Sequence, residues 1–319
     1  MKKSLKALPL LAVAGLGFSA VTPVLAQEGS IGVVSREDGS GTRGAFVEIV
    51  GVVDEDDNDM TTLDAVIQNS TNGVMQTVAG DSQAIGYISL GSVDDSIKVL
   101  PIDGVEASAE NVTNGTYPIA RPFNVAWSNE GDLSEVAADF LTFIHSADGQ
   151  AIVEEEGYVQ VTPKADEEAA TEEEATEETT EESTEESTEE AASEEAVELP
   201  AYEVAGLEGT VEVVGSTSVT PVMEKLAEAY SALNEGVTIN ITSNGSSAGM
   251  EAAINGTADL GMASRELDEE EQAALNFDAI AIDGIAVIAH PENPISGLTL
   301  ENVKQIFLGE VTEWEEVAQ

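Results

Sequence analysis

Short apolar runs alternate with amphipathic stretches over most of the chain, a pattern that predicts an α/β protein built around parallel strands. Ile31 to Val34 form the first run, which stops at Ser35 and Arg36. A loop of Gly, Ser and Thr follows, and helical spacing begins near Thr42, with Ala45, Phe46, Ile49 and Val50 on the apolar side. Leu63, Val66 and Ile67 at helical spacing predict a helix over 61–68. NSTNG (69–73) then caps a short helix through Val78, AIGYISL (84–90) reads as a buried strand, and Lys98 to Ile102 as another. Pro118 and Pro122 keep 117–127 extended. Leu133, Val136, Ala137, Phe140, Leu141 and Ile144 predict an amphipathic helix ending at His145. A second short helix and a strand at YVQV (158–161) close this half.

Residues 164–200 carry Glu, Thr, Ser and Ala with almost nothing apolar, so they cannot form a core and predict a self-repelling, disordered linker. Beyond it the pattern resumes. TVEVV (210–214) runs into GSTSVTP and a helix from Val219 to Leu233, and VTINITS (237–243) into NGSSAG and a helix through Ile254. ADLGMAS (258–264) meets Arg265, with a helix after LDEEE; strands are expected over 279–290 and a helix from Leu300 to Leu308.

Composition changes this picture in three ways. The formal charge is −51, but 17 acids and one lysine fall in 164–200, and Lys2, Lys3 and Lys6 stand at the start without acids. The remainder holds 45 acids and seven bases, about −38, which excludes nucleic acid and anionic membrane as partners. Next, three lysines ahead of the apolar stretch Ala7 to Phe18, with Val24-Leu25-Ala26 following, predict a cleavable export signal over 1–26 and no membrane insertion of the mature chain. Finally, there is no cysteine, hence no disulfide, thiol chemistry or lipid-bearing Cys. The acidic run DEDDND (54–59) lacks the glycine and terminal glutamate of a calcium loop and reads as solvated. No metal site and no cofactor are expected.

Three of the seven bases, Arg36, Arg43 and Arg265, sit in or beside the Ser/Gly loops. The strand–loop–helix junction recurs at 36–42, 215–220, 244–249 and 263–265. Each helix start leaves backbone N–H groups unpaired, and their dipoles favour an anion. Without a GxxxxGK phosphate loop, four such junctions point to one small tetrahedral oxyanion at the carboxyl ends of the strands.

SREDGSGTRGAF (35–46), GSTSVTPVMEKLAEAY, TSNGSSAGMEAAINGTADLGMASREL, YPIARPF and IAVIAHPENP resemble the phosphate-binding proteins of the high-affinity phosphate ABC transporter, the PstS family. The resemblance implies an α/β, two-lobed periplasmic-binding-protein fold of type II with two hinge crossover strands, at YPIARPF and IAHPENP. It implies an exported, non-catalytic receptor that clamps inorganic phosphate and delivers it to ABC permease subunits. Carried over by position, Arg36, Ser40, Gly41 and Thr42 match ligands, with Gly39 between them and Asp38 matching an Asp that orients the arginine. Ser246 matches a serine ligand, with Ser247 behind it. Val219 and Thr220 fall where a Thr-Phe pair contacts phosphate, which leaves backbone N–H groups and the Ser218 or Thr220 hydroxyl to serve. Ser264, followed by Arg265, stands where some members carry an Asp that accepts the phosphate proton, so the source of selectivity over sulfate is open.

In that family the GSTS loop precedes SREDGSGT, whereas this chain has the opposite order. That implies a circular permutation with the acidic linker joining the old termini. The expected lobes are then 28–116 plus 291–319, carrying SREDGSGT, and 123–163 plus 205–285, carrying the GSTS, NGSSAG and ASR loops. Alternatives are a receptor for another tetrahedral oxyanion, or a domain-swapped or rearranged phosphate binder outside transport. A phosphoester hydrolase using Ser40 or Ser246 would need a base, and the two histidines, His145 and His290, lie at a helix end and in an IAHP segment.

Overall fold

The computed structural model describes residues 29–162 and 199–317. The export signal expected over 1–26 and nearly all of the acidic linker expected over 164–200 lie outside the described residues. In chain order the first half supplies β1 (Gly32–Arg36), α1 (Gly41–Val50), β2 (Val66–Gln68), α2 (Thr71–Ala79), β3 (Ala84–Ser89) and β4 (Lys98–Val99). It continues with α3 (Ala109–Thr113), β5 (Ala120–Ser128), α4 (Glu135–Ile144) and α5 (Ala147–Glu155). The second half supplies β6 (Glu208–Gly215), α6 (Thr220–Leu233), β7 (Gly236–Ser243), α7 (Ser246–Ile254), β8 (Leu260–Ala263), α8 (Glu269–Ala274), β9 (Leu275–Ala289) and α9 (Leu300–Leu308).

One mixed sheet runs β2-β1-β3-β9-β5-β8-β6-β7, with β4 beside β9. Its two ends are parallel: β1 with β2 and β3, and β6 with β7 and β8. The middle is antiparallel, where β9 pairs with β3 and β5, and β5 with β8. Buried apolar residues separate into two main cores. The first joins Phe46, Tyr87 and Ile119 to Ile285, Phe307 and Trp314. The second joins Phe123, Phe140 and Tyr158 to Val213, Tyr230 and Ala281. In the first, Phe46 stacks on Tyr87 with centroids 3.9 Å apart and meets Phe307 edge-on at 4.7 Å, so α1, β3 and α9 share one aromatic centre.

Both strands that connect the cores do so side by side. β9 pairs with β5 as far as Gly284 and with β3 from Ile285 onward. Opposite it, Ile119 belongs to the first core and Phe123 to the second. The second crossing therefore lies at 283–285, ahead of the IAHPENP segment expected from the resemblance.

Two elements differ from the sequence pattern. Residues 61–65 are not helical, and Val66–Gln68 pair with Val34–Arg36 as an edge strand. Leu63 is fully exposed at 102% and Val66 and Ile67 are half exposed, so the apolar spacing there faces no core. With a free edge on β1 available, the β-branched pair takes the ladder. The expected YVQV strand is reduced to a single bridge between Val159 and Ile282.

The described chain leaves at Thr162 and resumes at Leu199, and the neighbours of both residues contact α5. Val161 N–H donates to Gln150 Oε1 at 2.8 Å, and Ala147 N–H donates to the Pro200 carbonyl at 2.8 Å. Ala147 and Gln150 are neighbours on one face of α5. Tyr202 then seals the re-entry, its hydroxyl 2.6 Å from Asp139 Oδ2 and its N–H 3.0 Å from Asp148 Oδ2. The residues flanking the acidic segment thus stand against one helix, on the side of the second core. The first and last described segments also meet, with Ile31 N–H on the Thr312 carbonyl at 2.7 Å and Trp314 N–H on that of Gly29 at 3.1 Å.

Replacing 163–198 by eight Gly/Ser residues, which reach about 15 Å, should leave urea unfolding cooperative and raise stability by about 1 kcal/mol through the shorter loop. Loss of the cooperative transition would mean that the segment has a longer distance to cover.

Candidate anion-binding site

The carboxyl ends of β1, β2, β6, β7 and β8 meet, and so do the helix starts that follow them. α1, α2, α6 and α7 all begin there, each with first-turn N–H groups that have no partner within the helix. Their approach is close. Gly41 opens α1 directly against the second half, and a Cβ at that position would collide with the Ser246 and Ser264 hydroxyls. Gly39, at φ +82°, makes the preceding turn and accepts from Ser247 N–H at 3.1 Å.

Hydroxyls fill the junction. Thr42 Oγ1 lies 2.8 Å from Ser218 Oγ, which also lies 3.1 Å from Thr71 Oγ1. Ser216 Oγ–H donates to Ser264 Oγ at 2.8 Å, Ser246 Oγ is 3.4 Å from the same atom, and Ser264 N–H donates to Ser246 Oγ at 3.1 Å. Thr42, Thr71, Ser216, Ser218, Ser246 and Ser264 are all buried. Ser40 is the N-cap of α1 and accepts from Arg43 N–H at 3.3 Å, and Val219 is the buried N-cap of α6.

Arg36 ends β1 inside this cluster, with only 2% of its surface exposed. Its Nη2 donates to Thr217 Oγ1 at 3.0 Å. Its carboxylate partner is Glu37, bound through Nε and Nη2 at 2.8 Å each. This corrects the expected role of Asp38: that side chain is 99% exposed and pairs instead with Arg43 at 2.9 Å. In extended backbone Asp38 follows Arg36 by two residues, but the chain turns after β1 and swings it outward. The Tyr87 hydroxyl backs the strand end, 2.8 Å from Ser35 Oγ, and burial pushes it up to about 12.

The expected residues divide. Arg36, Gly41, Thr42, Ser218, Ser246 and Ser264 come together, with Ser40 and Val219 as the helix caps behind them. Thr220 turns back, its Oγ1 donating to the Ser216 carbonyl at 2.9 Å and lying 2.9 Å from Ser243 Oγ. Arg265 is held by Glu271 at 2.6 and 2.8 Å and only brushes Ser247 Oγ at 3.4 Å. Thr71, Thr217 and Glu37 were not anticipated. The NSTNG segment held the signal for Thr71, but reading 61–68 as a helix concealed a further strand–loop–helix junction there.

Beneath the hydroxyls lies a fully buried ion pair. Arg121 on β5 donates through Nε and Nη2 to Asp283 Oδ2 on β9, at 3.2 and 3.0 Å. Burial pushes the Asp283 carboxyl up to about 6, against the pull of Arg121, Ser89 and the Leu90 N–H. Neither histidine takes part: His145 stands 4.0 Å from Asp278, and His290 Nδ1 accepts from Glu292 N–H. Among the described residues no group of His, Cys, Asp and Glu is arranged to hold a metal ion, and no helix is long and apolar enough to cross a membrane.

Comparison with known proteins agrees with this geometry. Residues 19–148 and 169–319 match the family described as the PBP superfamily domain. The phosphate-binding protein PstS 2 of Streptococcus pneumoniae TIGR4 is 44% identical over 292 residues, covering 91% of this chain and 88% of the relative. PstS 2 of Streptococcus agalactiae 2603 V/R is 38% identical over 330 residues, covering the whole of both. A crystal structure of a phosphate-binding protein of a phosphate ABC transporter from S. pneumoniae TIGR4 superposes with a TM-score of 0.64, at 46% identity, over 91% of this chain and 100% of that one. On these matches the chain belongs to the PBP superfamily and, within it, to the family of PstS phosphate-binding proteins.

Proposed function

We propose that this protein is the exported receptor of a phosphate ABC transporter, which closes on inorganic phosphate and releases it to the permease. The observation that carries the reading is the convergence of four helix starts, one buried arginine and six buried hydroxyls from both sides of the acidic segment. Arg36 supplies charge and a forked pair of donors suited to an oxyanion. Ser40, Gly41 and Thr42 on one side, and Ser218, Val219, Ser246 and Ser264 on the other, offer N–H and O–H donors. Thr71 and Thr217 join this set. Thr220, Arg265, Gly39 and Ser247 act by holding the loops.

The lobes of such a receptor are 28–116 with the chain's end and 123–163 with 205–285, opening about 117–121 and 283–285 by hinge motion. Two sets of contacts support a circular permutation: the residues flanking the acidic segment both contact α5, and the outermost described segments meet each other. Single alignments of 292 and 330 residues carry the same segment order in the relatives, which argues against an isolated rearranged gene. The reading is non-catalytic: the two histidines that could serve as a base contact Asp278 and the Glu292 N–H instead of the serines. Export by the 1–26 signal would put it outside the cytoplasmic membrane.

A receptor for another tetrahedral oxyanion is kept as the second reading, because Ser264 supplies no carboxylate to accept the proton of HPO₄²⁻. Calorimetric titration with phosphate, arsenate and sulfate separates the two. Phosphate should bind at or below roughly micromolar levels, about −8 kcal/mol, and sulfate more weakly; an absence of phosphate binding contradicts the proposal. Glu37→Ala should weaken phosphate binding about tenfold, the scale of a charge-assisted bond, by freeing the Arg36 fork. Asp38→Ala should leave the affinity within twofold, and the reverse ranking would restore Asp38 as the orienting residue.

A further inference from the structure

The buried pair Arg121–Asp283 occupies the one place where the two connecting strands and the site meet. Arg121 and Asp283 face each other directly in the β5–β9 ladder, next to the switch of β9 from β5 to β3. Tyr117 O–H donates to the Ile285 carbonyl at 2.9 Å and Ile285 N–H to that of Ile119 at 2.8 Å, so the crossing strands are stitched together there. Each oxygen of Asp283 serves a different side. Oδ1 accepts from Ser89 Oγ at 2.9 Å and Leu90 N–H at 3.1 Å, at the end of β3, while Oδ2 takes the Arg121 fork. The remaining Arg121 nitrogen, Nη1, donates to the Ser264 carbonyl at 2.8 Å. Asn124 on the same strand fixes the next carbonyl, that of Arg265, at 2.9 Å. Phe123 lies under the guanidinium, 5.3 Å from ring centroid to Cζ.

We infer that Arg121 and Asp283 are positioning residues of the anion site, coupling the bend between the two cores to the placement of the Ser264 N–H and hydroxyl. This rests on the proposed function and deepens it. The contacts form a continuous series: β3 end, Asp283, Arg121, Ser264 carbonyl, Ser264 hydroxyl, and from there Ser216 and Ser246. Rotation of one core against the other has to move Ser89 and Leu90 relative to Ser264. The pair resists that motion, or follows it, as a unit, because an arginine fork and a carboxylate stripped of water each carry a buried charge that the other offsets. A lone charge would be left if either partner swung away. The bonds thus select a narrow range of core orientations, and those orientations present Ser264 to the ligand.

The test compares wild type with Asp283→Asn, Arg121→Lys and Ser89→Ala, using phosphate titration and small-angle scattering with and without phosphate. Tyr230→Phe is the control; it removes the hydroxyl held by Asp139 at 2.7 Å, inside the second core and away from the crossing. Asp283→Asn and Arg121→Lys should weaken phosphate binding tenfold or more and reduce the ligand-induced compaction. Tyr230→Phe should lower the melting temperature and leave affinity and compaction unchanged. Folded Asp283→Asn and Arg121→Lys proteins with affinity within twofold of wild type would overturn the inference. If neither charge variant folds, Ser89→Ala decides: a several-fold loss of affinity supports the coupling, and an unchanged affinity overturns it. Wild type titrated alongside distinguishes failure of the underlying reading, since a wild type that binds none of phosphate, arsenate and sulfate removes both.

Discussion

Four helices begin at one point in this fold, and the need to satisfy their first N–H groups governs the surroundings. Such donors cannot be buried beside apolar groups without cost, and this explains why the facing surfaces are serines, threonines and glycines. Gly41 lets α1 come within contact of Ser246 and Ser264, which any larger residue would prevent. The sheet order then follows as a support. Parallel ends aim the strand carboxyl termini at the junction, and the antiparallel middle formed by β5 and β9 holds the two parallel blocks in register.

The strongly acidic surface sets a second constraint. A formal charge of −51 should repel an anion at long range, yet salt screens such fields beyond about 8 Å. In the proposed site attraction is local, from helix dipoles, hydroxyl donors and Arg36. Glu37 offsets part of the Arg36 charge while fixing the fork, an arrangement that favours a ligand able to take many hydrogen bonds over one drawn by charge alone. The Arg121–Asp283 pair beneath is nearly neutral as a unit and contributes orientation.

Much of this was legible in the residues. The alternation of apolar runs and helical spacing gave the parallel blocks, and the Gly/Ser/Thr loops after β1, β6 and β7 gave three of the helix starts. The start of α2 was hidden because Leu63, Val66 and Ile67 have helical spacing without facing a core. Edge pairing with β1 decided that segment, and no local signal reports it. Asp38 and Glu37 could not be ranked from sequence, since the turn after Arg36 decides which carboxylate returns to it. Arg121 lies in YPIARPF and Asp283 in the strand region expected over 279–290, but only the ladder register makes them partners, across 162 residues. That the residues flanking the acidic segment both contact α5 depends on tertiary contacts alone, which composition does not report.

Amide hydrogen exchange with and without phosphate tests the central claim most directly. Phosphate should protect the first-turn amides of α1, α2, α6 and α7 together, at residues on both sides of the acidic segment, while chloride leaves them unchanged. Protection confined to one half of the chain, or absent from the helix starts, would contradict the clamp described for this fold.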